Sequence, residues 1–403
     1  MPAPSPAELD RNLAAYFARA FDAPPDEAAF DRLALRVFAH QYEALAPYRA
    51  YCQSRGALPQ RLRHWSEIPA VPVLAFKDAR LLGDEEGSEP ARVFRTSGTT
   101  TDGARPGEHA MTASGLALYH ASCVPTFRAF VLPGLASGAT SDLVPLVLGP
   151  PSDDAPHSSL WHMVDHLGYE LFADEPRHFM GPGAAAGPGA ATLDVPGLTK
   201  ALDEATRAGR GVCLFTTDLG LDRFLTIVEA SGWTTRLPAG SRLVHTGGTK
   251  GRRRAVSPVE LLARVEAALG LPARACVSEY GMTELASQFY DGTLRDAAED
   301  ATSPRIKYGP PWVRTVVVDT YTLEPLPPGE PGLLRVVDLA NRGSVAAILT
   351  EDRAVAVEPA GAAAGTPPAD GRPRALPFRL LGRADGSEAR GCSLEAEAFE
   401  VPA

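Results

Sequence analysis

Three short stretches carry side chains that could do chemistry together. Arg95-Thr-Ser-Gly-Thr-Thr-Thr-Asp-Gly103 packs small and hydroxyl residues into a loop. Ser278-Glu-Tyr-Gly-Met-Thr-Glu284 joins an aromatic ring to a carboxylate, and Gly382-Arg-Ala-Asp385 opens a tail that holds Cys392 behind Arg390-Gly391. Thr96, Ser97, Gly98, Thr99 and Thr100 suit an anion. Glycine lets the backbone approach closely, and successive N–H groups with hydroxyls can surround phosphate oxygens. The loop is not a Walker A sequence, because Ala104-Arg105 follow Gly103 where Lys-Ser/Thr is required. The same residue types also build solvent-exposed turns. Cys392 brings a different chemistry. A thiolate is a nucleophile; Arg383 and Arg390 would favour it, while Glu388 and Glu395 would oppose it. An inert buried thiol is the other reading of a lone cysteine.

The elements that must position these residues are legible in the hydrophobic pattern. Residues 6 to about 62 read as helical, with Leu9, Leu13 and Phe17, then Phe30, Leu33, Val37 and Phe38, at helix-like spacing. Ile68-Pro-Ala-Val-Pro-Val73 is too proline-rich for a helix and reads as extended. Leu143–Leu148 and Val212–Phe215 are short apolar runs bounded by turn residues, as buried strands are. A helix over 198–208, ended by Gly209, precedes the second of them. Ser257-Pro-Val-Glu260 predicts a helix start with a capping box, and Gly270 its end. Strands alternating with helices from about 90 to 290 favour an α/β body with a largely parallel sheet. Beyond Pro310, short runs at 316–318, 333–337, 345–349, 355–357 and 378–381 predict a smaller β-rich lobe. The Ala/Gly/Pro-rich stretches 181–191 and 359–375 read as mobile surface loops.

Composition narrows the function. A net charge of −10 over 403 residues argues against nucleic acid as the main partner, which needs a basic surface. The N-terminus Met1-Pro-Ala-Pro-Ser-Pro6 lacks a signal peptide's basic and apolar regions, and no stretch has the apolar length of a membrane span. Cysteines 52, 123, 213, 276 and 392 are odd in number and lack a CxxC pair, which predicts reduced thiols in a cytoplasmic protein. His162 and His166 lie one helical turn apart, but Met163 follows His162, so this is not an HExxH zinc site. A role for His162 near a substrate and a hydrogen-bonded wall histidine are both open. Lys250-Gly-Arg-Arg-Arg254 concentrates four cations. It reads as a solvated charge run, a partner for pyrophosphate, or a docking surface for an acidic protein.

Taken together, Ser97-Gly-Thr-Thr100 and Tyr280-Gly-Met-Thr-Glu284 resemble the adenylate-forming superfamily of acyl-CoA ligases, adenylation domains and luciferases. More narrowly, six segments in family order resemble the LuxE-type acyl-protein synthetases. They are Ser158-Ser-Leu-Trp-His-Met163, Thr246-Gly-Gly-Thr-Lys-Gly-Arg252, Glu279–Tyr290, Asp338-Leu-Ala-Asn341, Thr350-Glu-Asp352 and Arg390-Gly-Cys-Ser-Leu394. The resemblance spans the chain from about residue 70 to its end. It implies a large α/β adenylate-forming N-terminal domain with a β-rich C-terminal lobe, without the superfamily's full mobile C-terminal domain. The expected segments are 1–65 helical, 66–310 α/β core, 311–382 β-rich lobe, and 383–403 a hinge-like tail bearing Cys392.

By the same resemblance, Thr96–Thr100 would hold the phosphates of ATP. Gly247 and Gly248 would leave room for adenine, with Tyr280 against its other face and Gly281 beside it; an aromatic ring and bare backbone make a slot for a purine. Thr283 would donate to the α-phosphate, and Glu284 would hold Mg²⁺ with the substrate phosphates. In the alternative reading of that block, Thr283 caps a helix and Glu284 sits in its first turn. Asp352 and Arg383 would bind the ribose. Cys392 would accept the acyl group as a thioester, for delivery to a partner such as an acyl reductase. The superfamily's C-terminal lysine has no counterpart, which leaves Lys250, Arg105 or a partner subunit to supply a cation. The implied substrate is a carboxylic acid, a fatty acid foremost, although aromatic rings also suit apolar walls. Two alternatives stay open: an acid–CoA ligase of the phenylacetate type, and a non-catalytic adenylate-binding subunit.

Overall fold

The N-terminal helices start where capping side chains allow. Ser5 accepts from Glu8 N ahead of Pro6–Arg19, and Asp26 accepts from Ala29 N ahead of Glu27–Ala44. A third helix, Ala46–Ser54, follows directly. Their apolar stripes bury Leu9, Leu13, Phe17, Phe30, Val37 and Phe38 as the spacing predicts, whereas Leu33 is only half-buried. The computed structural model describes residues 5–83, 89–96, 106–182, 191–247, 256–296, 305–358 and 372–384. None of the helices among them is long and apolar enough to cross a membrane.

The chain divides into two compact units that cut across the four segments expected from the sequence. The first takes the described residues of Met1–Pro125, Met282–Gln288 and Ile306–Ala403; the second takes those of Thr126–Gly281 and Phe289–Arg305. The reason is that strands pair through hydrogen bonds with whichever strand is adjacent in space, so the first unit is assembled from both ends of the chain.

In the first unit, Val313–Val318, Pro331–Asp338, Ala347–Ala356, Phe378–Arg383 and Ile306–Tyr308 form an antiparallel succession in that order. The β-rich lobe beyond residue 310 is therefore present. The apolar residues 347–349 and 355–356 belong to one strand, Ala347–Ala356, because Asp352, Arg353 and Ala354 continue the ladder between them. Val71–Pro72, read as extended, pairs with this strand in parallel at Ile348 and Leu349. The N-terminal helices join the unit through Gln41, which is fully buried. Its Nε2 donates to Asn341 O and Arg342 O, and its Oε1 accepts from Ala346 N. Phe17 also packs, tilted, against the buried Trp312 with ring centroids 4.6 Å apart.

The second unit holds the parallel sheet. Arg177–His178, Val144–Leu148, Val212–Thr217, Arg242–Thr246 and Cys276–Tyr280 run parallel in that order, and Phe289–Asp291 adds an antiparallel edge to the last. The helix predicted over 198–208 spans Val195–Arg207, and Asp194 caps it by accepting from Gly197 N. Ser257 caps Pro258–Leu269 by accepting from Glu260 N, and Gly270 ends it in the left-handed conformation at φ 69°. Leu146, Leu148, Leu198, Leu214, Leu243 and Val265 lie at the centre of the core between sheet and helices.

Candidate functional site

The parallel register brings several motifs to one edge of the second unit. Leu148 lies opposite Thr216, Thr217 opposite Thr246, and Thr246 opposite Glu279. Gly149, Asp218, Gly247 and Gly281 therefore all leave the sheet at the carboxyl ends of neighbouring strands, the end where open α/β sheets bind ligands. Gly247 sits at φ +93°, and no atom of the described residues lies within 4 Å of the position a Cβ would take. Backbone and space there suit the approach of a flat group. Gly281 is bare for another reason: a Cβ would collide with the Glu279 carboxylate. The Tyr280 ring, expected to cover a purine, packs 5.7 Å from Phe289 and is only 9% exposed.

Below these turns, Leu160, Trp161, Met163, Val164, Phe215 and Val244 wall a cleft whose polar members are Thr216, His245, Thr246 and Glu279. Up to its open mouth it encloses about 240 Å³ of empty space. Thr246 Oγ1 donates to Glu279 Oε2. The indole of Trp161 rests on Gly149, where any Cβ would collide with it. His245 Nδ1 lies 2.6 Å from Asp218 Oδ1, and both side chains are mostly buried. Asp218 is the first residue of the helix Asp218–Ser231, where the macrodipole favours a carboxylate. On the helix Ser159–Leu171, burial lowers His166 to about 4, and the neighbouring His162 adds to the shift.

In the first unit, Thr96 closes the hairpin of Arg92–Arg95 with Glu108–Met111. Its N–H donates to Gly107 O, and its Oγ1 accepts from Gly107 N, each at 2.9 Å. Thr283 and Glu284 are held by their backbone. His109 Nδ1 donates to Thr283 O at 2.7 Å, and Asn341 Nδ2 donates to Glu284 O at 2.9 Å. Burial depresses His109 to about 4, so it is a neutral strut at physiological pH. Asp338, fully buried, accepts from Ala286 N, Ser287 Oγ and Ala340 N. Desolvation nonetheless raises its carboxyl to about 6. The Asp338-Leu-Ala-Asn341 segment is thus a latch on the turn that carries Thr283 and Glu284.

Glu284, Asp352 and Arg383 share one electrostatic neighbourhood. Burial pushes the Glu284 carboxyl up to about 7; Arg383 works against the shift, and Asp352 and Glu351 add to it. Asp352 lies opposite Arg383 in the ladder, with Arg383 Nε 3.9 Å from Asp352 Oδ1 and a guanidinium nitrogen 3.8 Å from Glu351 Oε2. No group of three or more His, Cys, Asp or Glu among the described residues is arranged to hold a metal. A single buried carboxyl still fits Mg²⁺ when substrate phosphates supply the other ligands. The cation would also favour the ionised form that burial disfavours.

Ser97, Gly98, Thr99, Thr100, Gly248, Lys250 and Cys392 lie outside the described residues. The other four cysteines are buried, and desolvation pushes Cys52, Cys213 and Cys276 up to about 12. They are poor nucleophiles. Two residues escaped sequence reading: His245 and Asp218. The one available signal was a histidine within the apolar run Leu243–Val244, directly before Thr246-Gly247.

No protein-family profile matches the sequence, and no curated protein matches it. Solved structures do. One is an open conformation of 2-hydroxyisobutyryl-CoA ligase in complex with 2-HIB-AMP and CoA, at TM-score 0.57 and 16% identity, over 89% of this chain and 76% of that one. The same ligase in its thioesterification state matches at TM-score 0.57 and 16% identity, over 95% and 70%. Its postadenylation state with 2-HIB-AMP matches at TM-score 0.56 and 15% identity, over 88% and 67%. The chain therefore has the mixed α/β fold of an adenylate-forming enzyme.

Proposed function

We propose that this chain activates a carboxylic acid with ATP and stores the acyl group on Cys392 as a thioester, for delivery to a partner such as an acyl reductase. The observation that carries the reading is the meeting of Glu284, Asp352 and Arg383, far apart in sequence, around one buried carboxyl. The fold and the hydroxyl-rich loop at 96–103 support it.

The chemistry divides into two displacements. The acid's carboxylate oxygen attacks the α-phosphorus of ATP, and the bond to pyrophosphate breaks. The Cys392 thiolate then attacks the acyl carbon of the mixed anhydride and AMP leaves with the electron pair, the thiol proton passing to solvent. Loop amides and hydroxyls of Thr96, Ser97, Thr99 and Thr100, with the Gly98 backbone, would hold the phosphates. Lys250 would offset the pyrophosphate charge, and Thr283 would orient the α-phosphate. Asp352 and Arg383 would fix the ribose. Gly247, Gly248, Tyr280 and Gly281 would frame the base. Mg²⁺, held at Glu284 together with the phosphates, would supply charge neutralisation. The acid's body is proposed to be apolar, in keeping with walls built from Leu160, Met163, Val164 and Phe215.

A second reading, an acid–CoA ligase, is favoured by the likeness to a ligase bound to 2-HIB-AMP and CoA. One experiment separates them: intact-protein mass after incubation with Mg·ATP and a panel of acids, beside Cys392→Ser. A hydroxylamine-labile adduct on the wild type, absent from the variant, is the expected result. Acyl-CoA formed at undiminished rate by Cys392→Ser would decide for the ligase.

A further inference from the structure

His245 lines the cleft and is 6% exposed, yet its Nε2 has no hydrogen-bond partner among the described residues. Its Nδ1 is fixed at 2.6 Å from Asp218 Oδ1. A carboxylate can only accept, so Nδ1 carries a proton; with that one proton on the ring, Nε2 is a lone-pair acceptor. A buried acceptor without a donor is costly, and a site that keeps one is built for a ligand that brings the donor. The cleft has room for little more than one water or one hydroxyl. Glu279 stands in the same cleft, which disfavours a second negative charge on the ligand. The remaining walls are mainly apolar, and the whole cleft is small beside the roughly 300–1,000 Å³ of drug-sized pockets.

We propose that His245, oriented by Asp218, accepts a hydrogen bond from a hydroxyl on the acid, so that the enzyme selects a compact hydroxy acid over its unsubstituted counterpart. That the acid is a substrate rests on the adenylation reading, but the binding preference stands apart from it. His245 is a specificity residue and Asp218 a positioning residue, since Asp218 acts only by setting which ring nitrogen carries the proton. Leaving Nε2 unpaired with an unsubstituted acid should cost about tenfold to a hundredfold in affinity.

The test is calorimetric binding of matched pairs, short branched and aromatic acids with and without one hydroxyl, to the full chain. Wild type should bind a hydroxylated member at least about tenfold more tightly, and His245→Phe should bring that ratio close to one. Asp218→Asn is the second variant. Its amide can donate to Nδ1 and so move the proton to Nε2, shifting preference from the hydroxy acid towards the matching oxo acid. A loss of packing alone would lower affinity for all three acid types together. Equal wild-type affinities for every pair, a ratio unchanged in His245→Phe, or no binding of any hydroxy acid would overturn the proposal. ATP–pyrophosphate exchange measured on the same acids reports separately on adenylation. A hydroxyl preference without exchange would defeat the adenylation reading and uphold the role of His245.

Discussion

Replacing Glu284 by glutamine should make the protein more stable at pH 8, although it removes a proposed functional carboxylate. The folded-state value of about 7 lies above the ordinary 4.5. The folded protein therefore holds this proton more tightly than the unfolded chain does. The resulting stability is fully present below about pH 4.5 and is lost as pH rises through 7. Relative to a protonated carboxyl, the ionisable group costs the fold about 1 kcal/mol at pH 5 and about 3 kcal/mol at pH 8. Glutamine does not titrate. Its advantage over the wild type should therefore grow by about 2 kcal/mol between the two pH values, whatever its pH-independent effect. Urea unfolding of both proteins at pH 5 and pH 8 gives this double difference directly. A difference that stays constant with pH would refute the claim that burial controls Glu284. A difference that shrinks towards pH 8 would reverse its sign. Pyrophosphate exchange should fall sharply in the same variant, separating what the carboxylate does for function from what it costs in stability.

Other outcomes follow from the same geometry. Asp338→Asn keeps the shape but can accept through only one oxygen, so one of the donors Ala286 N, Ser287 Oγ and Ala340 N loses its partner. Unfolding should become easier by about 1–3 kcal/mol. The His109 imidazole should show no titration above pH 5 by NMR, given a folded value of about 4; a midpoint near 6.5 would mean that the ring is solvated. Its contribution to stability is present above the ordinary value of 6.5 and is lost as pH falls through about 4. Gly149→Ala forces the Trp161 indole off its seat. It should cost about 1–3 kcal/mol and alter tryptophan fluorescence, whereas an unchanged spectrum would contradict that packing.

The local signals in this sequence were strong wherever the chemistry is local. Ser257 caps its helix because a short side-chain oxygen reaches the backbone N–H three residues ahead. Apolar runs at 144–148 and 212–215 became buried parallel strands, whose ladders pair the backbone groups that an apolar interior would otherwise leave unsatisfied. The motifs at 280–284 and 350–352 could likewise be picked out, and their residue types already spoke for a carboxyl-rich, glycine-lined site. What the sequence could not show was proximity. Asp338 and Asn341 read as members of a motif, but their work as a latch on 284–287 depends on partners more than fifty residues away. The rise of Glu284 to about 7 is a property of its burial, which no residue type encodes. His245 and Asp218 meet only because two parallel strands end side by side, and that register is set by long-range pairing. Strand pairing and burial are collective outcomes of the whole chain, so they decided which of these legible residues face one another.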